Sequence, residues 1–167
     1  MSELIKLRIN NIVDYQGNYG VARDVTIKSI DAVMENISIY RLERPYGDSK
    51  FIDAQRSEIE GVLLRDHHIL AAGFNFDDKL KRYQLSGISI GQFHWATGTD
   101  RQSLSGVLTN FRIIPPGFPD KPNIEDVNKL TIGVNYLHEL QNYCDDKKMG
   151  IDFSPVNHFG YAKNDRG

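Results

Sequence analysis

Apolar and polar residues alternate along most of the first 114 positions. In ELIKLRINNIV, Ile5, Leu7, Ile9 and Val13 take odd positions while Lys6, Arg8 and Asn10 take even ones, which predicts an opening strand with one wet face. Tyr19, Val21, Val25 and Ile27 repeat the pattern after a turn at Gln16-Gly17-Asn18, and residues 37–42 are apolar and β-branched enough for a third strand. Residues 27–37 fit either a strand or a short helix, because Ile30, Val33, Met34 and Ile37 also suit a helical face. RPYGDSK, residues 44–50, is a loop; residues 58–64 and 68–76 then read as a hairpin or one long bent strand. In KRYQLSGISIGQFHW, Tyr83, Leu85, Gly87, Ser89, Gly91, Phe93 and Trp95 share one face of a strand that alternates large and small residues. Phe111 and Ile113 continue an inward face after the TGTDRQ turn.

The period changes across IIPPGFPDKP. Pro115, Pro116, Pro119 and Pro122 make residues 115–122 a stiff connector that no sheet interior accepts. Beyond it, Asn123 is placed to cap a helix over 123–148 with an apolar stripe of Ile124, Val127, Leu130, Val134, Leu137, Leu140 and Cys144. Lys147, Lys148 and Gly150 suit its end, and residues 149–167 form a tail. The expected fold is mainly β, a single domain over 1–167 with an antiparallel body over 1–114. That body is a barrel or sandwich of about 7–8 strands, since parallel strands need long crossovers, with one amphipathic helix packed on it. The order resembles that of lipocalin-type barrels, which also place a helix after a meander. The resemblance is architectural, carries no family motif, and a sandwich crossed by a helix fits the same pattern.

Composition narrows the partners. Across 167 residues, 20 basic and 22 acidic side chains give a formal charge of -2 without a basic stripe, so nucleic acid is not expected. The single cysteine, Cys144, excludes an internal disulfide framework. Glu3, Lys6 and Arg8 interrupt the opening apolar residues, and no later stretch has the length of a membrane span, so a soluble, cytoplasmic protein without membrane contact is expected.

The candidate chemistry centres on VLLRDHHILAAGFNF. On a strand, His67 and His68 point to opposite faces and do not ligate one metal together, whereas Asp66 and His68 share a face on which the carboxylate can orient the imidazole as a base. His94, at a strand end beside Trp95, is a further catalytic candidate; His138 reads as a solvated helix flank and His158 is unconstrained. Arg23 falls between Val21 and Val25 on the apolar side of the second strand, where a charge needs an ion pair or a ligand. It is the candidate anchor for an anionic group, with Tyr19, Tyr83 and Trp95 as aromatic walls. Phosphate loops, zinc-protease, serine-hydrolase, calcium and paired-cysteine motifs are absent, so no metal and no cofactor is expected. The favoured function is a non-enzymatic module that binds a small amphipathic or anionic ligand, or a partner protein, on a β scaffold. An acid-base or metal-assisted hydrolase or isomerase is the alternative, followed by a structural subunit of a larger assembly. Homo-oligomerisation stays open.

Overall fold

A computed structural model describes residues 3–45, 50–93 and 111–153. Among them the chain runs through β1 (Ile12–Gly17), β2 (Gly20–Met34), β3 (Ile37–Glu43), β4 (Phe51–Gln55), β5 (Ile59–Gly61), α1 (Asp66–Ala71) and β6 (Asn75–Asp77). It continues through β7 (Arg82–Leu85), β8 (Ile88–Gln92), β9 (Phe111–Ile114), α2 (Ile124–Leu130), β10 (Ile132–Val134) and α3 (Leu137–Asp146). The fold is mainly β, and every ladder is antiparallel, as the alternation and short turns predict. Both sheets are open, in the orders β4-β3-β2-β1-β5 and β10-β9-β8-β7-β6, rather than closed into a barrel. The chain divides into two compact units, residues 1–72 with 136–167 and residues 73–135.

In the first unit, Val13, Tyr15, Val25, Ile27, Leu42, Ile52, Ala54 and Ile59 form one buried cluster on a single sheet face. The ambiguous stretch after Ile27 is strand: β2 continues to Met34 beside β3, and Asn36, at φ 64°, turns the chain between them. The opening strand lies later than expected, at β1. Leu4 and Lys6 lend their carbonyls to the Asn142 side chain (2.8 and 2.7 Å) instead of a ladder, and Asn10 turns the chain at φ 74°. The hairpin or bent strand expected over 58–64 and 68–76 is interrupted by α1, because the His68 imidazole accepts the Arg65 N–H (3.1 Å) and caps a helix there.

The second unit corrects two further expectations. Residues 82–92 are a hairpin rather than one strand: Ser86 (φ 49°) and Gly87 (φ 82°) form the two-residue turn that twisted antiparallel strands favour. Gly91 is in β8, and the room beside it is filled; a Cβ there would lie 3.0 Å from Ile114 Cδ1 and 3.3 Å from Arg82 Cγ. The long helix over 123–148 is broken. Asn123 does cap α2, accepting the Asp126 N–H at 2.8 Å, but Ile132-Gly133-Val134 leaves the helix to pair with β9. Thr131 turns its hydroxyl back onto the Val127 carbonyl and takes the Arg112 guanidinium, which fixes the exit. Ile114, Phe118 and Val127 pack together, with Phe93 against them.

Candidate functional site

The end of β3 is where charged residues gather. Arg44 donates its backbone N–H to the Lys50 carbonyl (2.7 Å), which holds the two chains together past the last rung of the β3–β4 ladder. Glu43 stands opposite Thr26 on one side and Phe51 on the other. Its two oxygens receive different ammonium groups, Lys28 at 3.0 Å and Lys50 at 3.0 Å, and their hydrogen bonds hold the carboxyl below the usual range. The side chain of Arg44 differs from these neighbours. Its Nε–H is buried without a hydrogen-bond partner among the described residues.

These groups line a cavity of about 610 Å³ in the first unit, together with the N-terminal segment and the end of α3. Asn11, Gln141 and Asn142 build that wall. Asn142 accepts from Asn11 Nδ2 (2.9 Å) and donates to Leu4 and Lys6, while Gln141 accepts the Ile12 N–H (2.8 Å) and donates to the Asn10 carbonyl (3.0 Å). All three amides are buried, so their hydrogen bonds fasten α3 to the start of the chain. Arg8 pairs with Asp146 at 2.6 Å, while Asp145 forms no ion pair among the described residues. Cys144 also lines the cavity, but burial pushes its thiol up to about 12, so it is not a thiolate nucleophile near neutral pH. Ile9, Ile12, Pro45, Ile151 and Phe153 supply apolar lining. Arg44 also lines a second hollow of about 460 Å³ with Tyr19, Phe51, Ile52 and Asp53.

The residues singled out from sequence are dispersed. Asp66 and His68 lie on α1, where two positions correspond to roughly 200° of rotation, so they do not share a face as they would on a strand. His68 is buried, its Nδ1 is engaged by Arg65, and burial, with the nearby His67 and Arg65 charges, pushes it down to about 4. His138 is buried rather than a solvated flank, its pKa lowered chiefly by burial. Its ring stacks on Tyr136 with centroids 5.7 Å apart, and its Nδ1 has no partner among the described residues.

Arg23 is exposed and paired with Asp14 at 2.8 Å. A bulge between Val13 and Tyr15, with Asp24 at φ 53°, shifts the side-chain parity: Ala22 and Val25 face the core while Arg23 and Val21 face solvent. Tyr19 reaches the hollow beside Arg44, whereas Tyr83 is buried in the second unit between Phe76 and Phe111, at centroid distances of 5.0 and 6.3 Å. His94, Trp95 and His158 lie outside the described residues. Among the described residues, no three histidine, cysteine or carboxylate side chains come together as a metal site. No described helix is long and apolar enough to cross a membrane.

Sequence reading passed over Arg44, Lys28 and the α3 amides. The signal available was local: Glu43-Arg44 closes a strand directly before Pro45, and the amide doublets Asn10-Asn11 and Gln141-Asn142 sit in otherwise apolar stretches. The molecule is thus an open-sheet antiparallel β protein with a polar, charge-lined cavity. No family model, curated protein or solved structure matches the chain.

Proposed function

We propose that the first unit is a non-enzymatic binding module for a small amphipathic, anionic ligand, with Arg44 rather than Arg23 as the anchor. The carrying observation is that Arg44 lines the cavity while its side chain, including the buried Nε–H, has no hydrogen-bond partner among the described residues. A guanidinium that lines a cavity without a carboxylate of its own keeps its charge for an anionic oxygen, and the bond formed is charge-assisted. Arg23 already has its carboxylate, so the same gain is not open to it. The apolar lining of the cavity suits the body of an amphipathic ligand.

Hexyl phosphate is a suitable probe, followed by amide chemical shifts in the full chain. Arg44→Met should weaken its binding about tenfold, the loss of one charge-assisted hydrogen bond, and Arg23→Met should leave it unchanged. Unaltered binding by Arg44→Met would overturn this reading.

A further inference from the structure

We infer that the cavity takes a zwitterion, a small molecule carrying both an anionic group and a protonated amine. The inference rests on the anion-binding reading above and adds a second charge to the ligand.

Charge is segregated between the elements that line the cavity. On the β2–β3–β4 side, Lys28, Arg44 and Lys50 stand against the single carboxylate of Glu43, which the two lysines share, so that side keeps an excess of positive charge. The α3 side has the opposite balance. Arg8 is matched by Asp146, and the lining then holds two carboxylates, Asp152 and Asp145, the latter without an ion pair among the described residues. Asp145 lies in the last turn of α3, a turn with no basic residue. The negative end of a helix disfavours a carboxylate there, so side chain and backbone dipole give the same sign. A pure anion satisfies Arg44 and meets repulsion from α3, whereas a cationic amine on the same molecule turns that repulsion into attraction. The buried amides contribute little to this choice, since Asn142 and Gln141 are engaged with the backbone. At about 610 Å³ the cavity has room for a compact ligand with both groups.

Phosphoethanolamine and ethyl phosphate separate the two charges, since they differ by the ammonium group. Calorimetric titration of the full chain should show phosphoethanolamine binding about fivefold more tightly, the upper range for a pair formed with an exposed carboxylate. Asp145→Asn should remove most of that preference and bind ethyl phosphate somewhat more tightly, since the repulsion goes; Asp145→Lys should reverse it. Equal affinities in the unmodified chain, or a preference that survives both Asp145 substitutions, would overturn the zwitterion inference while leaving anion binding in place. Anion binding itself fails separately, and the inference with it, if Arg44→Met binds ethyl phosphate as well as the unmodified chain does, or if neither compound binds saturably at millimolar concentration.

Discussion

Two half-buried arginines, one in each unit, show opposite solutions to the same problem. Arg112 on β9 lies between Gly91 of β8 and Gly133 of β10, and its guanidinium reaches across Gly133 to the Thr131 hydroxyl and, at 3.3 Å, the Thr131 carbonyl. Burial lowers its pKa, yet neutral oxygens of its own unit satisfy it, and the outcome is a clasp between sheet and helix. Arg44 is fixed at its backbone instead and keeps a buried donor without a partner among the described residues. Partner inventory, rather than burial or charge alone, therefore separates an arginine that holds the fold from one with a donor left over.

The sharpest way to break that contrast is to remove a satisfied group from the cavity wall. Asn142→Ala strands the Leu4 and Lys6 carbonyls and Asn11 Nδ2, and should cost about 3 kcal/mol in the urea unfolding free energy if the amides are structural. A loss below about 1 kcal/mol would mean that water replaces them readily.

Acid titration tests the buried ionisable groups of the first unit. His68, at about 4 when folded, lies below its unfolded value, so the unfolded chain binds the proton first and stability falls as pH drops from 6.5 towards 4. Asp24 is pushed up to about 6 by burial and by neighbouring Asp14, so the folded chain binds its proton first and stability rises over nearly the same interval. Because the two oppose each other, Asp24→Asn, which also suits the left-handed backbone there, should steepen the acid loss between pH 6.5 and 4 by roughly 2–3 kcal/mol. Parallel stability curves for the variant and the unmodified chain would refute the opposition.

Replacing arginine by methionine at the two sites tests the comparison directly. Arg112→Met should lower stability by about 1.5 kcal/mol, because Thr131 loses its charged partner. Arg44→Met should raise it by about 1 kcal/mol, because it removes a donor left unsatisfied among the described residues. Thermal unfolding of both variants without ligand gives the answer, and a larger loss at Arg44 would reverse the assignment of roles.

The sequence carried the antiparallel class because Val25-Ile27 and Phe111-Ile113 obey the two-residue period wherever a strand faces a core. It carried the Asn123 cap because that signal is contained within four residues. What escaped depends on partners far along the chain. Ile5, Leu7 and Ile9 alternate well, but Asn142, more than 130 positions away, takes the carbonyls that a ladder would need. The apolar stripe through Val134 continues in helical register, yet Ile132-Gly133-Val134 finds a sheet edge at β9, and pairing outweighs period. Arg23 was misplaced by a single bulge, since one extra residue exchanges the two faces of a strand. The cavity was not legible in the sequence, and the carboxylate that pairs with Arg23 comes from Asp14 on a neighbouring strand, which no periodicity reports.

The division of the chain also bears on how the protein is made. Residues 73–135 form a continuous unit, whereas the other unit joins residues 1–72 to a segment that begins at Tyr136. A ribosome delivers the first five strands early, but the Tyr136 bridge to Leu63 and the Gln141 and Asn142 side chains arrive only after the whole intervening unit has emerged. Until then the Leu4, Lys6 and Asn10 carbonyls and the apolar face awaiting Leu137 and Leu140 remain open. The contiguous unit is free to fold during that interval. The sheet of residues 12–61 thus waits for α3, and a stall in synthesis before residue 142 leaves it without that fastening.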